Sequence, residues 1–174
     1  HDFAILKFAN QAQVQFSEME KNYQASLVEG DEDVLKEADN RAASMRRRFD
    51  MMRRDHGLIE DQLFNDLFLH LDAYITQTSQ HTHAVVNGGL TQQQVWAGYE
   101  QVNLLRDQYQ STQQRFIDER YKSFEDRLID IEKAEEALVN FGVALGSVLL
   151  VALLVAYITI IRSLLRTFGN AVKF

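Results

Sequence analysis

The sequence predicts an all-α chain: an antiparallel up-and-down helical bundle of the four-helix type, continuous with a transmembrane helix near its C-terminus. Three observations predict it. The 174 residues include no proline, where ordinary usage would place about 9, so nothing interrupts long helices. Apolar residues recur at alternating three- and four-residue steps, the spacing of a helix face buried against neighbours. Residues 137–161 carry no charge at all.

The first seam is Ile5, Ala9, Ala12, Phe16, Met19, Tyr23 and Ser26. It should end at Glu29-Gly30, because glycine enters the left-handed cap conformation without a Cβ clash. Asp31 then suits an N-cap, and Glu32 and Asp33 suit the positive end of a helix dipole.

The second seam is Leu35, Ala38, Ala42, Met45, Phe49 and Met52. It meets Asp55-His56-Gly57 and resumes as Ile59, Leu63, Leu67, Leu71 and Tyr74, ending at the Asn87-Gly88-Gly89 turn. Two helix counts follow. A break at Gly57 gives four helices. A tolerated Gly57 gives one helix over 31–86, about 84 Å long. Glycine inside a helix costs only about 1 kcal/mol, and Met52, His56 and Ile59 keep step across it. The uninterrupted helix is therefore the expectation.

The last helix has the clearest start. Thr91 and Gln94 form a T-x-x-Q capping box, with Leu90 and Val95 placed as a hydrophobic staple. Its seam runs through Val102, Leu105, Tyr109, Phe116, Phe124, Leu128 and Ile131. Trp96 and Tyr99 on its first turns are expected in the core. No breaker precedes the apolar run, so about 46 residues, or ~69 Å, should join it as one helix.

Residues 137–161 would cover ~37 Å as a helix, enough to cross a ~30 Å hydrocarbon core. Glu132, Glu135 and Glu136 precede them; Arg162, Arg166 and Lys173 follow. Positive charge stays cytoplasmic. The expected organisation is a sensor-like bundle outside the membrane over 1–136, a span over 137–161 with Tyr157 at an interface, and a cytoplasmic start over 162–174. Gly142 and Gly146 form a G-x-x-x-G pair that can let two spans approach closely. The chain begins with His1 rather than Met and reads as a fragment.

These residues resemble the membrane-proximal part of bacterial chemoreceptors and sensor histidine kinases with a four-helix-bundle ligand domain. The carriers are Leu71-Asp72-Ala73-Tyr74-Ile75 before a glycine-bearing turn and a long polar helix with Phe116 and Phe124. Ile131-Glu132-Lys133-Ala134 then precede the span, and Ile160-Ile161-Arg162-Ser163-Leu164-Leu165-Arg166 close it. The last run is similar to the opening of a HAMP linker, although Thr167 stands where that family usually has proline. The resemblance implies a homodimer in the bacterial inner membrane, with residues 1–136 periplasmic. Its input would be a small molecule or a periplasmic binding protein, and its output a cytoplasmic methyl-accepting chemotaxis or kinase domain.

Half of the arginines fall in one window: Arg41, Arg46, Arg47, Arg48, Arg53 and Arg54. Arg41 and Arg48 flank one side of the seam, Arg46 and Arg53 the other. Guanidinium forks suit carboxylates and other anions, so these four are the candidate ligand-binding residues. The commoner role of such a run is a salt-bridged helix face that sets register. His81 and His83 lie two apart and face different ways. They could tune a pH response, but no ligand set for a metal forms around them. No nucleophile elbow, P-loop, zincin or dinucleotide motif is present, so neither enzymatic activity nor a cofactor is expected of this segment. A net charge of −7 argues against nucleic acid as a partner. The competing class is a membrane-anchored scaffold bundle without a ligand.

Overall fold

The computed structural model describes the backbone of residues 2–171 and the side chains of residues 3–162. Lys173 and the end of the expected HAMP segment lie outside the described residues, and nothing of the Arg166 side chain is described. The fold is all-α. Four helices follow one another: α1 Asp2–Glu29, α2 Glu32–Asp55, α3 Gln62–Val86 and α4 Gln92–Ala171. The contacts divide the chain into one unit over His1–Glu125 and a second over Asp126–Phe174.

Each helix boundary in the first unit has a local cause. Gly30 ends α1 at φ 65°, its amide donating to the Ser26 carbonyl at 2.9 Å. Asp31 caps α2 through a carboxylate that accepts from the amides of Asp33 and Val34. Thr91 and Gln94 make the reciprocal box. The Thr91 amide donates to Gln94 Oε1 at 2.9 Å, and the Gln94 amide reaches Thr91 Oγ1 at 3.4 Å.

The region around Gly57 corrects the expectation of one helix over 31–86. Gly57 sits at φ 62°, and the Leu58 amide donates back to the Arg53 carbonyl at 3.0 Å. This is the six-to-one bond of a Schellman cap. Asp61 then caps α3 by accepting from the Phe64 amide at 2.9 Å. The cost of glycine in a helix interior was the wrong comparison. The break gains a closed C-cap and a new N-cap, which together outweigh the few hydrogen bonds lost. The cap also shifts the seam by one residue. Leu58 is buried at 4% exposure, while Ile59, expected in the seam, is 59% exposed.

One hydrophobic core joins all four helices. It holds Ile5, Phe16, Met19 and Tyr23 of α1 and Leu35, Met45 and Phe49 of α2. Phe64, Leu71 and Tyr74 of α3 join it, with Tyr109, Phe116 and Ile117 of α4. Aromatic rings tie the helices in register. Phe8 meets Phe49 edge-on at 4.9 Å, Phe16 lies 4.5 Å from Tyr109, and Phe64 lies 5.6 Å from Phe116. Trp96 and Tyr99 are not in this core: they are 62% and 44% exposed. The inward stripe of α4 runs through Val95, Gly98, Val102, Leu105 and Tyr109. Trp96 and Tyr99 stand one residue off it, about 100° around the helix.

The second unit is α4 alone. Its described side chains, residues 126–162, are all exposed. Leu128 and Ile131, placed in the core by their spacing, are exposed for this reason: among the described residues of the unit no second helix covers them. Two hydroxyls in the uncharged stretch are satisfied within the helix. Ser147 Oγ donates to the Val143 carbonyl and Thr159 Oγ1 to the Val155 carbonyl, at 2.8 and 2.7 Å. Such back-bonding is what an apolar surrounding demands of a polar group. α4 is long and apolar enough to cross a membrane, and none of its most apolar window is buried within the protein.

Candidate functional site

The arginine-bearing face of α2 follows the seam. Arg41 turns toward α1, where Nη1 meets Glu18 Oε2 at 2.8 Å, and it also meets Glu37 one turn back at 2.8 Å. Arg46 turns the opposite way, toward α3. Its Nε donates to Asp72 Oδ1 at 2.6 Å and its Nη2 to Thr76 Oγ1 at 2.7 Å. Arg53 stays on that second flank, 3.4 Å from Asp50 and with its guanidinium 5.9 Å from the Phe68 ring centre. Arg48 and Arg47 are exposed and make no ion pair among the described residues. The two flanks assigned from the sequence are thus those on which Arg41 and Arg46 sit. The four candidates do not converge on one volume. Three hold carboxylates of the chain: Arg41 and Arg46 tie α2 to α1 and α3, while Arg53 pairs within α2 and reaches α3 through the Phe68 ring. Each such pair, part-exposed, contributes up to about 1 kcal/mol.

A tighter polar junction lies two residues before Arg41, around Asp39. Tyr23 Oη of α1 and Ser79 Oγ of α3 each donate to Asp39 Oδ1 at 2.8 Å. His83 Nε2 lies 2.7 Å from Asp39 Oδ2. One carboxylate therefore joins three helices. Partial burial works to raise the Asp39 pKa, but the bonds from His83, Ser79 and Tyr23 outweigh it and hold the carboxyl below its ordinary value. Burial, reinforced by Asp39, pushes the Tyr23 phenol up, so it stays a donor.

His81 is the neighbour that points elsewhere. It is buried against α4 at Gly98, where a Cβ would overlap the imidazole ring. Burial pushes its pKa down. The histidines thus separate as their spacing requires: His81 faces α4, His83 faces α2, and His70 Nδ1 lies 2.9 Å from Thr112 Oγ1 of α4. Among the described residues no three metal-ligating side chains gather.

Asp39 was not singled out in the sequence. The available signal was its position: it directly follows the buried seam residue Ala38, so it flanks the interface with room to reach a neighbour. At the opposite end of the unit, Arg120 of α4 pairs with Asp61, the N-cap of α3, and lies over Phe116 at 4.9 Å. In the second unit Gly142 and Gly146 are open, with nothing within 4 Å of a Cβ built on either. Comparison with family models, curated proteins and solved structures finds no match.

Proposed function

We propose that this chain is the signal-input region of a bacterial transmembrane receptor. Residues 1–136 form an antiparallel four-helix bundle outside the inner membrane, residues 137–161 span it, and residues 162–174 open a cytoplasmic HAMP linker. The bundle takes its input from a small molecule or a periplasmic protein partner and works as a homodimer. The output is a cytoplasmic chemotaxis or kinase domain.

One observation carries this reading: α4 supplies Tyr109, Phe116 and Ile117 to the packed core and continues as helix through the uncharged residues to Ala171. A helix that is both a wall of the input bundle and the span couples the two. A ligand that binds two helix packings unequally biases their populations, and the bias is expressed as a slide or rotation of α4. The antiparallel arrangement is supported by contacts that run in opposite order along successive helices. Tyr23, Glu18 and Phe8 of α1 meet Asp39, Arg41 and Phe49 of α2. Phe64 and His70 of α3 meet Phe116 and Thr112 of α4. In this reading Arg41, Arg46 and Arg53 serve mainly as ties, and Arg48 is the arginine of the four free to meet an anion or a second protomer.

The test is disulfide crosslinking of Gly142→Cys and Gly146→Cys variants in membranes, with and without a stimulus. The receptor reading expects efficient crosslinking between protomers at one of the two positions and a change in its rate on stimulation. The scaffold reading expects a rate that no condition alters.

A further inference from the structure

Two stripes of the bundle face each other and do not close. On α1 the positions are Gln13, Phe16, Ser17 and Glu20; on α4 they are Gln110, Gln113, Gln114 and Ile117. Both sets follow i, i+3, i+4, i+7, the spacing of residues that share one helix face. Packed bundles fill such facing stripes with apolar side chains. Here they enclose a cleft of about 390 Å³, within the usual size range for small-molecule sites.

The floor is firm and the walls are amides. Phe16, Gln113 and Ile117 are buried beneath the cleft. Gln113 is fixed there, its Nε2 donating to the Ala9 carbonyl at 3.3 Å. Gln13, Ser17, Gln110 and Gln114 form the exposed walls. Gln13 and Gln110 each offer two donors and an acceptor, and Gln114, whose Nε2 donates to Asp118 Oδ1 at 2.8 Å, keeps a second N–H and its carbonyl oxygen, so both kinds of group converge on one volume. Glu20 is the only charged side chain on the lining, and its carboxylate lies 3.5 Å from the Arg106 guanidinium. A charged ligand would lose hydration here without gaining a free counter-charge. A neutral molecule with hydrogen-bonding groups around its rim meets a partner on each side.

We infer that the α1–α4 cleft binds an uncharged polyhydroxylated small molecule of monosaccharide size. The site names a ligand class for the receptor proposed above and rests on that reading only for its biological meaning. Because α4 forms one wall, occupancy acts directly on the helix that continues into the span.

The experiment uses the full chain in nanodiscs, titrated calorimetrically with D-ribose, D-glucose and D-galactose, and with aspartate and phosphate as charged comparators. At least one sugar is expected to bind saturably and to raise the unfolding midpoint by about 2 °C or more at saturation. Gln110→Leu/Gln114→Leu should abolish that binding. Gln13→Glu, which keeps side-chain length and adds an unpaired charge, should weaken it at least about tenfold, and Arg47→Ala, at an exposed position away from the cleft, should leave it unchanged. Retained helicity by circular dichroism shows that the variants fold. The assignment is overturned if no sugar binds, if aspartate or phosphate binds instead, or if sugar binding survives both glutamine variants. Sugar binding that leaves the Gly142→Cys and Gly146→Cys crosslinking rates unaltered sinks the receptor reading and keeps the site. Altered rates under another stimulus, with no sugar bound, do the reverse.

Discussion

Asp39 and His81 show how much a single side chain can carry in a helical unit of this size, and both should make the fold acid-sensitive. Asp39 is held below the ordinary aspartate value. Its contribution is therefore complete above the unfolded value of ~3.9 and is lost as pH falls through the folded one. His81 is a base with its pKa pushed down by burial. It stays neutral in the fold, while the unfolded chain takes a proton near pH ~6.5, so its contribution is also lost on acidification. The two losses occupy separate ranges, the first beginning below about pH 6.5 and the second below about pH 4. Urea midpoints measured from pH 7.5 down to pH 3 should fall in these two stages. His81→Gln should flatten the upper stage and leave the lower. Asp39→Asn should flatten the lower stage and cost about 1–2 kcal/mol at neutral pH, the charge-assisted bonds being part-exposed. A midpoint that is level from pH 7.5 to pH 5 in the parent chain would rule out the His81 assignment. Neither role was legible from sequence beyond the statement that His81 and His83 face different ways. What His81 meets is Gly98, and what His83 meets is Asp39, on elements that are distant along the chain. Periodicity names the face of a helix but not the neighbour opposite it.

At the scale of elements, the seams of α1 and α2 were legible residue by residue, because every seam position from Ile5 to Ser26 and from Leu35 to Met52 is buried. A repeat that long leaves one consistent buried face. The link between α2 and α3 was not legible, because Met52, His56 and Ile59 keep helical step by chance across a glycine that in fact closes a Schellman cap. The physical difference lies in one residue. The left-handed Gly57 swings Leu58 inward to the core and Ile59 outward. Truncating the pair separates the two readings. Leu58→Ala should cost about 2–4 kcal/mol of unfolding free energy, as a buried leucine does. Ile59→Ala should fall within about 0.5 kcal/mol of the parent, as an exposed position does. An uninterrupted helix would reverse the ranking, because Ile59 would then lie in the seam. The same reasoning accounts for Trp96 and Tyr99. Their size suggested burial, but their phase on α4 puts them beside the inward stripe, and phase decides.

For the whole molecule the decisive fact is where the core stops. Its members run from Ile5 to Ile117 and none lies in the second unit. The first unit contains every cap, ring contact and inter-helix ion pair described above. The second unit has the opposite character: an apolar surface from Leu138 to Ile161 with no side chain buried. That is far more than the few hundred Å² of contiguous apolar surface that a soluble monomer normally leaves exposed. A bilayer would suit such a surface better than water, and the backbone of a continuous helix needs no partner there. These facts predict different behaviour for the two parts. A chain cut after Glu125 should be soluble without detergent, helical, and cooperative in thermal unfolding. The full chain should require detergent or lipid for solubility, and a charge at the middle of the stretch, as in Leu150→Arg, should impair membrane integration, the penalty being about 2.5–3.5 kcal/mol on the insertion scale. Circular dichroism of the truncated chain and membrane fractionation of the full one measure the two claims separately. If the truncated chain melts without cooperativity, α4 beyond Glu125 must contribute to the fold. Should the full chain stay monodisperse in plain buffer, the apolar stretch is covered by something other than lipid, and the proposed route from the bundle through the membrane fails.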